Sequence, residues 1–382
     1  MLTESHEALA REVLIHGPIG RSALGPRLGL SPASLTRLAK PLIERGLFIE
    51  LSEEATGSVG RPIRPLDINP DLGYFIGLKI TGDSVFAVLT DTRARIVDER
   101  ERPLESTDPS ATIDLVADVI RDIAQSAPAP LAGVGVSLGG AVDDEGRVLR
   151  APFLGWSNVD LAGPLSEKSG VDVTVENDVV ALVEAERWFG AGRGRSGFCV
   201  ITIGAGVGYG LVIGGESVHT REAGVGLGGH VPLDPTGPLC PEGHRGCSSA
   251  LLTSVAMRAQ VQGALGLPVE YDEVLTLAAK GEPVAVAVVD AAARGLGRLI
   301  SLAANLTMQP TVVLSGDGIA LWDVAADKIR LAASVDRDPL AEPLEILVDD
   351  IGFGAWARGA AAVAIQASIA RLTASASGAA LR

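Results

Sequence analysis

Three side chains with the chemistry of zinc ligands lie near one another in the chain. Cys240 and Cys247 are seven positions apart in a polar loop, and His230 precedes Cys240 by ten positions. Zinc in proteins is held by thiolate sulfur and imidazole nitrogen, and four protein ligands mark a structural site. The spacing therefore predicts a zinc loop; the alternative is a metal-free loop with two free thiols.

A glycine run precedes this loop. Residues Gly204–Gly210 read Gly-Ala-Gly-Val-Gly-Tyr-Gly and connect the apolar segments Phe198–Ile203 and Leu211–Ile213. This pattern predicts a β-hairpin. Because glycine has no side chain, the backbone of such a hairpin can come close to an anion or to a neighbouring element. The glycines alone do not decide between the two.

The glycine run, the Gly229-His230 pair and the order Cys…Gly-x-x-Gly-Cys together resemble the ROK family. This family contains sugar kinases, sugar epimerase-kinases and transcriptional repressors. The resemblance extends from about Tyr74 to the C-terminus and implies an α/β, actin-like (ribonuclease H-like) body of two lobes, preceded in repressors by a DNA-binding head. The expected domains are a winged helix-turn-helix at 1–70, a first lobe at 71–190 plus 355–382, and a second lobe with the zinc loop at 191–354.

The charge distribution limits where nucleic acid can bind. The formal net charge is −15, but residues 1–70 hold 8 Lys/Arg and 8 Asp/Glu, whereas the remainder holds 24 basic and 39 acidic residues. An acidic body repels phosphate groups, so any contact with DNA is expected to come from the head.

Composition also limits the class of protein. No apolar run reaches the roughly 18–20 residues of a membrane span, and the charged N-terminus is unlike a signal peptide. Three cysteines cannot form a disulfide framework, and Cys199 in its apolar segment is expected to be a small core residue. We expect a cytoplasmic protein of two or three domains.

Residues 1–70 carry the signals of three helices and two strands. Ser22 is expected to cap the second helix, and Ser31-Pro32 is a strong start signal for the third. Three helices and a two-stranded wing make a winged helix-turn-helix, whose third helix enters the major groove. The expected elements are helices at Glu4–His16, 22–28 and 32–45 and strands at Leu47–Leu51 and Pro62–Ile68.

The exposed face of the third helix presents the candidate DNA contacts Ser34, Arg37 and Lys40. Arg37 is suited to guanine and Lys40 to phosphate, while Arg61 at the wing tip is suited to phosphate or the minor groove. The alternative is a small helical interaction domain whose charges are only solvated.

The resemblance also shows where this chain departs from the kinases. ROK kinases carry Asp-x-Gly-Gly-Thr in the first hairpin of the body, which holds ATP phosphates and magnesium. Here Lys79 replaces the aspartate, Thr81 the first glycine and Asp83 the threonine, and Asp317 is inserted in a second, adenosine-side glycine motif. An ammonium in place of a magnesium-organising carboxylate reverses the local charge, so we expect no ATP–magnesium binding.

The sugar-binding pattern of the family is only partly present. Asn177, Asp178 and His230 match its sugar-contacting and catalytic positions, and they are our candidate effector-binding residues. Phe153, Leu227 and Ser249 replace three polar residues of the pattern. With ATP binding lost, a helix-capping or ligand-binding role for Asp178 is favoured over catalysis.

The zinc loop departs from the family at one ligand. The family pattern is Cys-x-Cys-Gly-x-x-Gly-Cys, and Glu242 stands at the middle cysteine. His230, Cys240 and Cys247 match three metal ligands. Either Glu242 or His244 is the expected fourth, and the zinc is expected to be structural.

The sequence thus predicts a ROK-type transcriptional regulator without kinase activity. Its expected partners are double-stranded operator DNA, a small-molecule effector such as a sugar or sugar derivative, and a second or further copies of the chain in a homodimer or homotetramer. Two alternatives stay open: a sugar kinase with an appended head, and a non-enzymatic scaffold whose head binds protein.

Overall fold

The computed structural model describes residues 2–52, 64–349 and 352–379. One unit contains Met1–Leu138, Val142–Glu176 and Ala357–Arg382, and the other contains Gly139–Ala141 and Asn177–Trp356. The division therefore falls at Asn177 rather than at the expected residue 190, because the intervening helix shares a core with the second unit. Residues 1–70 are grouped with the first lobe, so a separate head domain stays a prediction. Among the described helices, none has the length and apolarity to cross a membrane.

Three helices open the chain, namely α1 (Leu2–His16), α2 (Arg21–Leu28) and α3 (Pro32–Glu44). Leucines from all three are buried together: Leu9, Leu24, Leu35, Leu38 and Leu42. Ser31 caps α3 by accepting the Ser34 N–H at 3.2 Å, and Gly29 ends α2 with a left-handed φ of 63°. The predicted start of α3 and the predicted end of α2 are confirmed.

The start of α2 differs from the prediction. Ser22 does not cap this helix, which begins at Arg21 after Gly20. Ile19 exchanges two backbone hydrogen bonds of 2.9 Å with Leu66, and this pairing fixes the chain just ahead of the helix. Since the partners are distant in sequence, no local signal marks the true start.

Two short strands follow the helices, β1 (Phe48–Glu50) and β2 (Leu66–Ile68). They pair antiparallel, with Phe48 opposite Ile68, as a wing requires. Arg61, the predicted contact at the wing tip, lies outside the described residues.

Arg93, from the loop after the strand Ser84–Thr90, contacts both the first helix and the second strand. Arg93 donates to the Leu14 carbonyl at 2.9 Å and forms an ion pair with Asp67 of β2. These contacts join α1 and β2 to the same side chain, so a shift of Arg93 would be felt by both elements.

The next part of the chain forms a mixed sheet. Its strands and helices are β3 (Tyr74–Ile80), β4 (Ser84–Thr90), β5 (Ile96–Pro103), α4 (Pro109–Ala124), β6 (Leu131–Leu138), β7 (Ala141–Val142), β8 (Arg147–Ala151), β9 (Trp156–Asp160), α5 (Ala162–Ser169) and β10 (Val173–Asn177). The main sheet has the order β10-β6-β3-β4-β5, with β3, β4 and β5 antiparallel and β3 parallel to β6. β7, β8 and β9 form a smaller sheet.

The second unit repeats this arrangement. Its elements are α6 (Asp178–Phe189), β11 (Gly197–Ile203), β12 (Val207–Ile213), β13 (Glu216–Ser217), α7 (Ser248–Leu252), α8 (Ser254–Leu265), α9 (Tyr271–Ala279), α10 (Pro283–Thr307), β14 (Thr311–Ser315), α11 (Leu321–Val335) and β15 (Glu345–Val348). The order is β13-β12-β11-β14-β15, with β11 antiparallel to β12 and parallel to β14. Such a repeated sheet is what the expected actin-like body requires. Cys199 is fully buried on β11, as predicted.

The last helix, α12 (Phe353–Ala379), packs against the first sheet. A Cβ atom at Gly77 would lie 1.9 Å from the Ala357 carbonyl oxygen, and one at Gly135 would lie 1.8 Å from that of Ala360. Glycine in β3 and β6 therefore permits backbone-to-backbone contact with an alanine-rich helix. The predicted return of this helix to the first lobe is confirmed.

Candidate functional site

A tight turn brings the predicted metal ligands of the loop together. The Cys240 N–H donates to the His244 carbonyl at 2.9 Å, and the Gly243 N–H donates to the Cys240 carbonyl at 2.9 Å. Gly243 has a φ of 86°, in the left-handed region that glycine enters without strain. The chain consequently reverses between Cys240 and His244. A backbone bridge between Pro232 and Cys247 brings the second cysteine beside the segment that carries His230.

Side-chain atoms of His230, Cys240 and His244 lie at the mutual distances of zinc ligands, and Cys247 lies at such a distance from His230. His230 Nδ1 is 3.9 Å from Cys240 Sγ, 3.8 Å from Cys247 Sγ and 3.2 Å from His244 Nδ1. Cys240 Sγ is 3.6 Å from His244 Nδ1. Bonds of about 2.0–2.3 Å to a tetrahedral zinc ion place ligand atoms about 3.3–3.8 Å apart. The donor types therefore fit zinc, and so do the distances among His230, Cys240 and His244 and from His230 to Cys247.

The loop also contains a carboxylate. Glu242 Oε2 lies 2.6 Å from His230 Nε2, so the two ring nitrogens of His230 face different groups of the same loop. His230, Cys240, Glu242 and His244 form a cluster whose ligand atoms all lie within 4.8 Å of one another. Burial raises the pKa of the Cys247 thiol, and the adjoining Cys240 adds to that effect. A divalent cation counteracts this by stabilising the thiolate.

The glycine run forms the predicted hairpin, with β11 and β12 as its strands. A Cβ atom at Gly208 would lie 2.5 Å from Val179 Cγ2, and one at Gly210 would lie 2.3 Å from Val183 Cγ2. Both valines belong to α6. At these positions the missing side chains allow close contact with a helix, which is the approach to a neighbouring element that the sequence left open.

The tip of the hairpin contacts a carboxylate from the turn after β14. Asp317 accepts a hydrogen bond from the Ala205 N–H, with Oδ2 at 3.2 Å, and a Cβ atom at Gly204 would lie 1.8 Å from its Oδ1. The parallel pairing of β11 with β14, with Thr202 opposite Ser315, brings the two turns together. A backbone N–H suited to an anion therefore already has an anionic partner. Sequence reasoning missed this contact because strand pairing creates it.

Asn177 caps the helix that carries the candidate base. Its Oδ1 accepts the N–H groups of Val179 and Val180 at 3.0 and 3.1 Å, and its Nδ2 donates to the Gly140 carbonyl at 2.9 Å. Asp178 is the first residue of α6 and is half-buried. Asn177 is thus the capping residue of α6. Asp178 accepts the Val179 N–H at 2.8 Å as well and places negative charge at the positive end of the helix dipole.

The turn between β3 and β4, which corresponds to the phosphate-holding hairpin expected from the kinase resemblance, is closed by hydrogen bonds among its own residues. The Thr81 hydroxyl lies 2.7 Å from Asp83 Oδ1 and accepts the Ser84 N–H at 2.9 Å. Lys79 is buried on β3, with 6% of its surface exposed. Lys79, buried on the strand, and Asp83, in the turn, are the two charged replacements that the sequence shows in this hairpin.

Three residues of this chain replace polar residues of the family's sugar-binding pattern, and two of the three have exposed side chains. Phe153 is 57% exposed in the single helical turn Pro152–Leu154, and Leu227 is 64% exposed at the start of the turn that ends at His230. Ser249 is half-buried beside Gly229. Neither exposed side chain offers a hydrogen bond to a sugar hydroxyl.

The predicted recognition face of α3 points to solvent. Arg37 and Lys40 are exposed, and Ser34 is half-buried with its hydroxyl 3.0 Å from that of Ser31. Lys40 approaches Glu44 at 3.7 Å, but both side chains are mostly exposed, and such an ion pair contributes little to folding stability. Arg37 and Lys40 are therefore accessible from solvent, and their contact with DNA stays a prediction.

Comparisons with known proteins agree with this architecture. Residues 75–367 match the ROK family. The xylose repressor of Bacillus spizizenii is 25% identical over 366 residues, which cover 95% of each chain. The crystal structure of a ROK family transcriptional regulator, a homolog of the E. coli MLC protein, is similar with a TM-score of 0.80 at 24% identity over 98% of this chain and 99% of that chain. The ROK family glucokinase of Streptomyces griseus, solved with glucose and AMPPNP, has a TM-score of 0.65 at 27% identity over 76% of this chain and 99% of its own. The actin-like fold is thereby confirmed.

Proposed function

The chain belongs to the ROK family, and we propose that it is a DNA-binding transcriptional repressor controlled by a small-molecule effector. The observation that carries this proposal is the extent of the similarity. The xylose repressor matches 95% of this chain and the ROK regulator structure 98%, whereas the glucokinase structure covers 76%. The three helices and two strands before residue 75 lie outside the family match and have the order of a winged helix-turn-helix.

In this proposal α3 enters the major groove of operator DNA. Arg37 reads a guanine, Ser34 and Lys40 contact the backbone, and Arg61 contacts phosphate or the minor groove from the wing. The exposure of Arg37 and Lys40 supports these roles. Because the remainder of the chain is strongly acidic, binding depends on this small basic surface and should weaken steeply as salt rises.

The body is proposed to have lost phosphate transfer. Such transfer needs an anion that organises magnesium and open N–H groups that hold the nucleotide phosphates. Here Lys79 is buried at the first position, Asp83 lies in the turn, and Asp317 accepts the Ala205 N–H in the second hairpin. Lys79 thus places a basic side chain where magnesium needs an anion. Asp83 and Asp317 place carboxylates where the ATP phosphates need open N–H groups.

The proposed effector is a sugar or a sugar derivative, the class for which the Bacillus relative is named. Asp178, half-buried at the start of α6, supplies a carboxylate for a hydroxyl group. Asn177 and His230, the other two candidates, also contact protein groups through their polar side-chain atoms. Asp178 does so as well, because its Oδ1 accepts the Val179 N–H at 2.8 Å. With Phe153 and Leu227 in the pattern, the effector should be less polar than a hexose.

Zinc is proposed as a structural cofactor held by His230, Cys240 and Cys247 with one further ligand. Zinc binds thiolate and imidazole groups in a closed tetrahedral shell. The loop residues hold two segments together, since His230 follows β13 and the cysteines precede α7. Removing the metal should therefore loosen the loop rather than abolish a reaction.

A homodimer, or a homotetramer built from dimers, is proposed as the DNA-binding form. One small head covers too few base pairs for high specificity, and two heads related by a two-fold axis match a pseudo-palindromic site. A DNA-bound protein of this kind acts in the cytoplasm. Analytical ultracentrifugation tests the assembly: a monomer both free and on operator DNA would contradict it.

The experiment that tests the function begins with genome-wide mapping of bound DNA and continues with affinity measurements on a recovered site. The variant Arg37→Ala/Lys40→Ala/Arg61→Ala should lose its preference for the operator over scrambled DNA. A control that removes the same charge from exposed positions of the body is Arg102→Ala/Arg121→Ala/Lys168→Ala, and it should retain that preference. Equal operator affinity in the two variants would refute DNA binding by the head.

A further inference from the structure

The two ring nitrogens of His230 face chemically different neighbours. Nδ1 lies within 3.9 Å of both cysteine sulfurs, Cys240 and Cys247, and 3.2 Å from His244 Nδ1. Nε2 lies 2.6 Å from Glu242 Oε2. An imidazole that binds a metal uses one nitrogen for the ion and donates the other N–H to an acceptor.

We propose that His244 Nδ1 is the fourth zinc ligand and that Glu242 is an outer carboxylate, which accepts the His230 Nε2–H and orients the ring. This inference rests on the zinc site proposed above and assigns its ligands as His230, Cys240, His244 and Cys247. The position that holds a cysteine in the family pattern then becomes a supporting acceptor, and the ligand role moves two residues along the chain to His244.

Distances decide against Glu242 as the ligand beside His230 Nε2. Two atoms bound to one tetrahedral zinc ion at about 2.0–2.1 Å lie about 3.3 Å apart. The 2.6 Å between His230 Nε2 and Glu242 Oε2 is too short for that and is close to the length of a charge-assisted hydrogen bond. The 3.2 Å between the Nδ1 atoms of His230 and His244 matches a ligand–ligand distance.

Charge favours the same assignment. Two thiolates and two neutral imidazoles around Zn²⁺ give a neutral centre, whereas a carboxylate in place of His244 would leave one net negative charge. The chain already carries a net charge of −15, so a neutral centre avoids further repulsion. Glu242 is 62% exposed and keeps its hydration while it accepts from His230.

Cobalt(II) substitution of the full chain tests the two roles separately. Tetrahedral cobalt absorbs visible light much more strongly than five- or six-coordinate cobalt, and charge-transfer bands report bound thiolates. The variants are Glu242→Gln and His244→Ala, with His219→Ala as the control because His219 is exposed and lies outside the cluster. Circular dichroism establishes that each variant is folded.

Glu242→Gln should keep the tetrahedral spectrum and the thiolate bands while cobalt affinity falls about 10- to 100-fold, since glutamine accepts a weaker hydrogen bond. His244→Ala should change the energy and intensity of the visible cobalt bands, because water replaces an imidazole nitrogen as the fourth ligand, and added imidazole should restore the original spectrum. His219→Ala should match the unmodified protein.

The opposite pattern overturns the inference: a changed cobalt spectrum in Glu242→Gln with an unchanged spectrum in His244→Ala would make Glu242 the ligand. Failure of the unmodified chain to bind stoichiometric cobalt or zinc would instead overturn the zinc site itself. Neither result bears on operator binding, which the head variants test independently.

Discussion

The contact between Gly210 and Val183 is a sharp test of how the glycine hairpin is used. Gly210→Ala adds a Cβ atom 2.3 Å from Val183 Cγ2, where carbon atoms need about 3.5–4.0 Å. Val183 is buried, so its helix or the hairpin must shift by about 1 Å or more. We expect a loss of about 1–3 kcal/mol in the free energy of unfolding, the usual cost of overpacking a filled core.

A double-mutant cycle separates this clash from other effects. Val183→Ala alone removes two buried methyl groups and should cost about 2 kcal/mol, including the cavity. In Gly210→Ala/Val183→Ala the new methyl group occupies part of that cavity. The double variant should therefore be about 1–3 kcal/mol more stable than the sum of the single effects predicts.

Urea unfolding followed by tryptophan fluorescence measures these free energies, with buried Trp188 on α6 as a local reporter. Gly263→Ala in α8 is the control, because nothing lies within 4 Å of the added Cβ, and it should stabilise by about 0.5–1 kcal/mol. Strict additivity of the two variants, or a Gly210→Ala protein as stable as the control, would refute the packing role of the hairpin glycines.

Three further predictions concern the head, the body and pH. Arg37→Ala should cost about 1–3 kcal/mol of operator affinity and relax the preference at one base pair, as measured by fluorescence anisotropy on a set of substituted operators; a uniform loss across all sites would mean a phosphate contact instead. The purified chain should release no ADP from ATP with common hexoses; a sugar-dependent release that disappears in Asp178→Ala would establish the kinase alternative. The Thr236 hydroxyl and then its backbone N–H hold the pKa of Asp234 below its ordinary value. That stabilisation is present above the ordinary carboxylate pKa and disappears as pH falls through the lowered value. Thr236→Val should therefore be less stable than the unmodified protein near neutral pH and equally stable in acid, and an NMR titration in which the Asp234 pKa fails to rise in the variant would contradict this.

Local chemistry predicted the elements whose signals are contiguous in the chain. The Ser31-Pro32 start of α3 and the Gly29 end of α2 depend on caps a few residues away, and both were confirmed. The buried strand with Cys199 and the hairpin that follows it were also predicted, because apolar β-branched runs and a glycine turn specify them locally. The prediction failed for the cap at Ser22, where the distant Ile19–Leu66 pairing sets the start of the helix.

The family resemblance predicted more than periodicity could. The motifs of the loop and the hairpins resemble those of the ROK family, and the match over residues 75–367 established membership of that family. Departures such as Lys79 were visible in the sequence because a replaced charge needs no structure to be noticed. The DNA contacts of α3 stay predictions.

The sequence by itself determined which residue types are available: two cysteines and two histidines for a metal, glycines for close approach, and basic side chains on one helix. Only the tertiary structure decided what each one meets. The glycines of the hairpin contact the valines of α6. Asp317 accepts the Ala205 N–H because the parallel pairing of β11 with β14 brings two separate turns together. The choice between Glu242 and His244 likewise depends on which nitrogen of His230 each one faces. Spacing along a chain limits which atoms can meet, whereas the direction of a side chain is set by packing among segments that are remote in sequence.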